Sequence, residues 1–279
     1  MTQTGRLGEL TVRRMGFGAM QLPGRGVMGP PRDRGQALSV LRRAVELGVD
    51  HIDTAQYYGP DVANELIREA LHPYPGLTLV SKVGARRDAK GGWLPWDRPE
   101  DLRQGIEDNL ASLGVERLGA VNLRLMDTPG GVPFDEQLDA MVQARDDGLI
   151  AGVGLSNVTA DQLAHALTRT AVACVQNPYN LIDRSSQPVL ELCEREGIAF
   201  VPFFPLGSGF GVDKVREAPA VVAVAARRGA TPAQVALAWL LAVSPRTLLI
   251  PGTSSVAHLE ENLDAATLEL SGEDLAEIG

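Results

Sequence analysis

The segment LGVDHIDT, residues 47–54, contains the joint on which the fold assignment rests. A helical pattern ends at Gly48, and a short, largely apolar run follows it directly. The same joint recurs at Gly114, Gly148 and Gly197. Glycine suits the left-handed position just past a helix, where a side chain would meet the backbone. The repetition therefore predicts helices and strands that alternate along the chain.

The stretches before these glycines have apolar residues at helical spacing. Two sets are expected to form buried helix faces: Leu38, Leu41 and Val45, and Leu102, Ile106, Leu110 and Leu113. Helix starts are marked by three capping pairs, Asp33 with Gln36, Thr159 with Gln162, and Thr231 with Gln234. Periodicity and caps together predict amphipathic helices whose apolar faces pack against another layer of the fold.

The expected strands are mostly apolar runs without clean alternation, which suits strands buried on both faces of a parallel sheet. They are Arg14–Met20, Val49–Thr54, Leu77–Val83, Leu118–Met126, Ile150–Ser156, Ala173–Asn177, Ile198–Pro205 and Thr247–Pro251. About eight strands thus alternate with about eight helices, and no linker divides them. This pattern predicts an α/β fold with a single (β/α)8 TIM barrel over residues 1–279, ending in a short C-terminal tail at 268–279.

A doubly wound sheet is the rival fold. It usually places G-x-G-x-x-G after an early strand. The early glycines, Gly16 and Gly18, lack the third glycine of that motif, and Gly207, Gly209 and Gly211 follow the seventh strand. The barrel is therefore favoured.

Composition narrows the function classes. The net charge of −9 argues against nonspecific nucleic-acid binding, which needs cationic side chains at phosphates. Two isolated cysteines, Cys174 and Cys193, indicate buried thiols in a reducing compartment. Met1–Glu9 does not resemble a signal peptide, no apolar run approaches the ~20 residues that span a bilayer, and no residues show metal-ligand spacing. We expect a cytoplasmic protein that binds no metal, membrane or nucleic acid, with a monomer favoured.

Barrel active sites lie at the carboxyl ends of the strands, which directs attention to Asp53, Tyr58 and Lys82. A free tyrosine has a pKa of about 10, and a neighbouring ammonium would lower that pKa by favouring the phenolate. Asp53 could supply the counter-charge of Lys82. The alternative is that Tyr58 packs against a loop while the other two form a structural ion pair. Spacing alone leaves both interpretations open.

The ordered segments at successive strand ends resemble the aldo-keto reductase superfamily over nearly the whole chain. The resemblance is carried by Ile52–Gly59 with Asn64 and Glu65, Val80–Val83, Gly154–Asn157, Gln176–Asn180, Phe203–Gly207, and Ile250–Ser255 with His258–Asn262. It implies reduction of a small aldehyde or ketone by hydride from a nicotinamide cofactor. In that reaction Tyr58 would be the general acid, Lys82 would tune it, and Asp53 would hold Lys82.

The resemblance also implies a set of cofactor contacts. They are Ser156, Asn157, Gln176, Phe203, Leu206, Gly252, Thr253, Ser254, His258, Glu261 and Asn262. Many relatives hold the 2′-phosphate with a Lys and an Arg at the positions of Gly252 and His258. Thr253, Ser254 and the helix start near Ser255 can bind a phosphate through hydroxyl and N–H groups. NADPH is the expected cofactor, with NADH possible.

A second departure lies in the fourth strand, where the family usually has a histidine that orients the substrate carbonyl. Asp127 aligns with that position, and a slip of one residue would place Met126 there. Arg124 alternates with Met126, so it points either into the barrel, where it could bind a carbonyl or an acidic substrate, or toward the helices and a carboxylate. Trp93, in the connection after the third strand, either walls the substrate pocket or covers the barrel edge.

Two other functions compete with the reductase. The altered fourth strand allows a nicotinamide-binding redox sensor or regulatory subunit with little turnover. A barrel aldolase would instead use Lys82 to form a Schiff base. That reading leaves Asp53, Tyr58, Asn157 and Gln176 without a joint explanation, so it ranks last.

Overall fold

A computed structural model describes residues 3–126, 130–207 and 211–279 of the chain. The strands are β1 Thr4–Leu7, β2 Leu10–Arg13, β3 Phe17–Gly18, β4 His51–Asp53, β5 Thr78–Arg87, β6 Trp93–Trp96, β7 Ala120–Arg124, β8 Val153–Ser156, β9 Val172–Gln176 and β10 Ala199–Phe200. The helices are α1 Arg34–Glu46, α2 Val62–Leu71, α3 Pro99–Leu113, α4 Phe134–Asp146, α5 Ala160–Leu167, α6 Gln187–Glu196, α7 Gly211–Arg216, α8 Pro219–Arg228, α9 Pro232–Val243, α10 Val256–Asp264 and α11 Gly272–Ile278.

Seven parallel strands form a curled sheet in the order β3, β4, β5, β7, β8, β9, β10. The eighth position is filled by Thr247–Leu249, which forms bridges rather than a regular strand. Thr247 bridges Phe200 of β10, and Leu249 bridges Met15 just before β3. Backbone hydrogen bonds from Leu248 N to Phe200 O (2.9 Å) and from Gly16 N to Leu249 O (2.8 Å) join the two edges. The barrel predicted from the sequence is therefore confirmed.

The seam of the barrel depends on two glycines. A Cβ atom on Gly18 would lie 2.5 Å from the Ile250 carbonyl oxygen, and one on Gly252 would lie 2.5 Å from the Gly18 carbonyl oxygen. Both contacts are with backbone, which cannot swing aside as a side chain can. The first strand and the last strand segment can approach this closely only because neither position carries a side chain.

Helix starts and stops follow the expected chemistry. Asp33 accepts a hydrogen bond from Gln36 N, and Thr159 and Thr231 each form a complete capping box. The glycines at the recurring joints all adopt positive φ, between 72° and 94°: Gly48, Gly114, Gly148 and Gly197. The helix-face prediction is confirmed for Leu38 and Leu41 and for all four residues in α3, while Val45 is half-buried.

Several expected bounds were wrong. The first strand is only β3, because a 3-10 turn begins at Ala19, and the seventh is only β10. β5 is longer than expected: it continues past Val83 to Arg87 and pairs antiparallel with β6. The connection after the third strand, in which Trp93 lies, is thus largely a hairpin that extends from the barrel.

The sequence interpretation also missed a hairpin, β1 and β2, at the amino-terminal side of the barrel strands. Leu7 and Val12 of this hairpin join a buried apolar cluster with residues of five strand segments: Val80, Ala120, Ala173, Cys174, Ala199 and Leu248. Gly8 N also donates to Ala173 O at 3.1 Å. The hairpin therefore plugs one end of the barrel, and the carboxyl ends of the strands remain as the open mouth.

The tail, expected at residues 268–279, ends in α11, which packs on α8. Asp274, at the N3 position of α11, pairs with Arg227 and Arg228 of α8, and these arginines hold the pKa of its carboxyl group below the ordinary value. No residue of this tail lines the mouth of the barrel among the described residues. Within the same part of the chain, no helix is both long and apolar enough to cross a membrane.

Candidate active site

Asp53, at the end of β4, and Lys82, near the end of the part of β5 that pairs with its barrel neighbours, form a buried ion pair. Each is 4% exposed, and Lys82 Nζ contacts Asp53 Oδ1 directly. Lys82 also donates to the Thr54 carbonyl oxygen at 3.0 Å, and Gln176 Nε2 donates to Asp53 Oδ2 at 2.7 Å. Both carboxylate oxygens and two of the three ammonium protons are therefore engaged, which offsets part of the cost of burying the charges.

Tyr58, from the connection between β4 and α2, lies beside this pair. Its ring centroid is 5.0 Å from Lys82 Nζ, and the ring is 5% exposed. Asp53, Tyr58 and Lys82 all line one cavity of about 260 Å³ at the barrel mouth. The structure therefore brings the three residues together as the sequence predicted.

The expected lowering of the Tyr58 pKa does not hold in this structure. Burial raises the pKa of the Tyr58 phenol above its ordinary value, the Asp53 carboxylate raises it further, and Arg124 opposes them. The phenol is therefore held in its protonated form.

A buried polar network fixes the two strand ends that carry the ion pair. Thr54 Oγ1, next to Asp53, donates to Asn64 Oδ1 of α2 at 2.8 Å, and Asn64 Nδ2 donates to Asn109 Oδ1 of α3 at 3.0 Å. Ser81, next to Lys82, donates to the same Asn109 oxygen at 2.6 Å. Such fully bonded buried groups restrict the positions that the strand ends can take.

A row of side chains lies across β7, β8 and β9, and its two outer members, Arg124 and Gln176, line the same cavity. Arg124 of β7 pairs in register with Ser156 of β8, which pairs with Gln176 of β9. Ser156 Oγ and Gln176 Oε1 are buried and have no hydrogen-bond partner among the described residues. Asn157, next in the chain, adopts φ 59° and donates from Nδ2 to the Leu125 carbonyl oxygen at 3.3 Å. Neither Ser156 nor Asn157 lines a cavity of the mouth, so their expected cofactor contacts are not supported by position, and Gln176 presents the unbonded amide oxygen there among the described residues.

The expected cofactor residues further along the chain lie in two connected cavities. Phe203 walls the first cavity, and Thr253, His258 and Glu261 line a second one of about 280 Å³. The cavities share Leu206, Arg216, Gly252 and Asn262. They form one groove from the buried ion pair to the start of α10, with each part near the lower size limit of ordinary ligand pockets. Ser254 is exposed and lines neither cavity, so its expected contact is not supported by position.

Arg216, at the end of α7, was missed by the sequence interpretation. It is exposed and lies where the two cavities meet. No motif marks it, because its position depends on the course of the connection after β10. It supplies a cation at the groove, whose cofactor-side positions Gly252 and His258 lack the family's Lys and Arg.

Three residues were expected on the substrate side of the site: Arg124, Trp93 and Asp127. Arg124 lines the first cavity, so the inward of its two open orientations is the observed one. Trp93 lies 39% exposed beside it, with its ring centroid 5.2 Å from that of Tyr57. Asp127, the residue aligned with the expected histidine, lies outside the described residues.

The expectation of buried thiols is confirmed. Cys174 and Cys193 are both buried and unpaired, and burial raises the pKa of each thiol to about 12. Neither is therefore a thiolate at neutral pH, and neither lines the groove.

Comparison with known proteins gives consistent results. The aldo/keto reductase family matches residues 14–279. The chain is 49% identical over 280 residues to the pyridoxine 4-dehydrogenase of Escherichia coli (strain K12), covering 99% of this chain and 96% of that protein. It is 40% identical to an uncharacterized oxidoreductase of Schizosaccharomyces pombe, covering 99% of this chain and 88% of the other.

Solved structures agree with these sequence relatives. An aldo/keto reductase from Klebsiella pneumoniae in complex with NADP and acetate superimposes with a TM-score of 0.83 at 28% identity, covering 100% of this chain and 94% of the other. An aldo-keto reductase from Klebsiella pneumoniae in complex with NADPH gives a TM-score of 0.84 at 28% identity. The match of family, relatives and fold over nearly the whole length shows that this chain belongs to the aldo/keto reductase family.

Proposed function

We propose that the protein reduces a small aldehyde or ketone with NADPH and that Tyr58 donates the proton. The observation that supports this most strongly is the placement of a buried, protonated phenol beside a buried Lys82–Asp53 pair in a cavity wall. A phenol that is protonated at neutral pH can donate its proton to the more basic alkoxide that develops during reduction, and the neighbouring ammonium stabilises the phenolate that results.

The groove fits a nicotinamide cofactor. A carboxamide offers one acceptor and two donors, and Gln176 Oε1, which has no hydrogen-bond partner in the described part of the chain, could accept one of them at the wall of the first cavity. Phe203 supplies an aromatic wall on the same cavity. At the far end, Thr253 and His258 line the second cavity near the amino-terminal end of α10, where a phosphate would meet polar side chains and the positive end of the helix dipole.

The bound cofactor supplies the hydride that reaches the carbonyl carbon. Tyr58 donates its proton to the carbonyl oxygen, so the product is the neutral alcohol. The Tyr58 phenolate that remains lies close to the Lys82 ammonium, which stabilises it until a proton returns from solvent through the open mouth. Asp53 and the Thr54 carbonyl keep that ammonium in place.

Pyridoxal is the first substrate to test. The Escherichia coli relative is a pyridoxine 4-dehydrogenase, and the identity of 49% spans both chains. Reduction of the pyridoxal aldehyde to pyridoxine is the reverse of such a dehydrogenation. Arg124 and Phe204 line the first cavity together with Tyr58. One charged and one aromatic wall suit a substrate with a flat, polar ring.

The test follows absorbance of the reduced cofactor with pyridoxal, benzaldehyde and small ketones, using NADPH and NADH in parallel. We expect turnover with at least the aldehydes and a lower KM for NADPH. Cofactor binding without turnover of any carbonyl would overturn the reductase proposal and favour the redox-sensor alternative.

Arg216 is expected to bind a phosphate of the cofactor. Replacing it with methionine should raise the Kd of NADPH roughly tenfold, because a partly exposed charge-assisted hydrogen bond contributes about 1.5 kcal/mol. The kcat with saturating NADPH should stay near wild type, since Arg216 does not contact the reacting atoms. Fluorescence titration of NADPH provides the measurement.

Lys214→Met is the matched control, because Lys214 is exposed on the same helix but lines neither cavity. An increase in Kd that is confined to NADPH assigns Arg216 to the 2′-phosphate, and an equal increase for NADH assigns it to the pyrophosphate. Unchanged binding of both cofactors would contradict the role.

A further inference from the structure

The positive charge in the first cavity is not balanced by the residues that line it. The Lys82 ammonium is neutralised by contact with Asp53. Arg124 adds a guanidinium to the same cavity, and no carboxylate of residues 3–126, 130–207 or 211–279 lies within 4.0 Å of it. Its Nε is buried without a hydrogen-bond partner in that part of the chain. A cavity with local positive charge has therefore formed in a protein whose net charge is −9.

Aromatic rings hold the guanidinium in place without neutralising it. Arg124 Cζ lies 5.2 Å from the Trp93 ring centroid. Trp93 in turn packs edge-on against Tyr57, which is 1% exposed and lies next to Tyr58 in the chain. A cation that lies over an aromatic face is stabilised there by roughly 0.5–2 kcal/mol, and its N–H groups remain available for hydrogen bonds. Arg124 is therefore positioned to donate hydrogen bonds to a ligand.

The ligand group that matches these donors is an ionised oxygen. A guanidinium binds anionic oxygens through short, charge-assisted hydrogen bonds that are roughly twice as strong as neutral ones. The charge of Arg124 also acts on the Tyr58 phenol, whose pKa it lowers against the effects of burial and Asp53. Arg124 and Tyr58 line the same cavity of about 260 Å³, so an oxygen bound by Arg124 lies within one small aromatic ring of the carbonyl oxygen that receives the Tyr58 proton.

We propose that Arg124 determines substrate specificity by binding an ionised oxygen on the ring carbon next to the one that bears the reacting aldehyde. The favoured substrates are then 2-hydroxyaryl aldehydes. Pyridoxal belongs to this class, since its ring hydroxyl is adjacent to its aldehyde carbon. The inference rests on the proposed reductase function and assigns the substrate class of that same site.

A matched pair of substrates tests the proposal. 2-Hydroxybenzaldehyde ionises above the pKa of its phenol, whereas 2-methoxybenzaldehyde has the same ring position blocked. Arg124→Gln should lower kcat/KM about 10- to 100-fold for the hydroxy compound, the loss expected for a hydrogen bond to a charged group, and less than about threefold for the methoxy compound. Arg124→Lys should restore part of the loss because it retains the charge.

Arg87→Gln is the control for packing. Arg87 Cζ lies 4.2 Å from the same Trp93 ring, and its guanidinium donates to the Gly26 carbonyl oxygen at 2.9 Å, but it does not line the cavity. Its replacement should change kcat/KM for both substrates by no more than about twofold. If Arg87→Gln reproduces the selective loss, disturbance of Trp93 explains the effect and the proposal is overturned.

Measurements of aldehyde binding distinguish this proposal from the reductase proposal. The Kd of each aldehyde is measured by tryptophan fluorescence with and without NADP, where no hydride is available. Weaker binding of only the hydroxy compound by Arg124→Gln supports the assignment even if wild type reduces neither aldehyde, in which case the reductase proposal alone fails. Equal effects on both compounds, or no effect on either, would overturn the role of Arg124 even if wild type is an active reductase.

Discussion

Lys82→Met is expected to lower the free energy of unfolding by about 3–5 kcal/mol, the loss seen when one partner of a buried ion pair is removed. The variant leaves the Asp53 carboxylate 4% exposed with Gln176 as its remaining side-chain partner. Urea denaturation of wild type and variant measures the difference. The variant should also lose reductase activity, because the phenolate of Tyr58 would have no adjacent ammonium.

The double variant Lys82→Met with Asp53→Asn separates charge from packing. Removing both charges while keeping the side-chain shapes should recover a large part of the lost stability but none of the lost activity. If the double variant is as unstable as Lys82→Met, the cost comes from packing, and the buried pair is not what holds the two strand ends.

Tyr58→Phe is expected to lower kcat for aldehyde reduction about 10²- to 10⁴-fold, the usual contribution of a positioned general acid. The Kd of NADPH should change little, because the groove is otherwise intact. Steady-state kinetics with pyridoxal and fluorescence titration of the cofactor measure the two quantities. Normal turnover by this variant would contradict the role of Tyr58 as proton donor.

The same role has a consequence for pH dependence. Because burial raises the pKa of the Tyr58 phenol above its ordinary value, the group stays protonated as pH rises through neutrality and beyond. Loss of this proton should therefore not lower the reduction rate until the pH exceeds the ordinary tyrosine range, about 10. Alcohol oxidation, which needs the phenolate, should instead accelerate as pH rises. In the Tyr58→Phe variant, the rate of alcohol oxidation should no longer rise with pH, and reduction should be slow throughout.

The barrel could be predicted from the sequence, and so could the position of most of the expected site residues at its mouth, because both follow from local rules. Glycines such as Gly48 mark the end of each helix, and parallel strands bring their carboxyl ends to one mouth. Asp53 and Lys82 could be paired in advance because they end neighbouring strands. The β1–β2 hairpin left only a short signal, the glycine turn at Gly8, within four-residue strands.

Other features depend on tertiary structure that no local pattern encodes. The raised pKa of Tyr58 results from burial, which is a property of the folded mouth. Arg216 reaches the groove through the course of a connection, and α7 carries no motif that reveals it. For Arg124, alternation along β7 allowed two orientations, and only its position in the lining of the first cavity distinguishes them.

Hydride transfer at the barrel mouth can be followed with an isotopically labelled cofactor. Pyridoxal is incubated with the protein and NADPH that carries deuterium at the transferable position of its nicotinamide ring, and the alcohol is examined by mass spectrometry and NMR. The account predicts deuterium on the former aldehyde carbon of pyridoxine, with formation of this product strongly reduced by Tyr58→Phe. Bound NADPH with no deuterated alcohol from pyridoxal or any other aldehyde would contradict it.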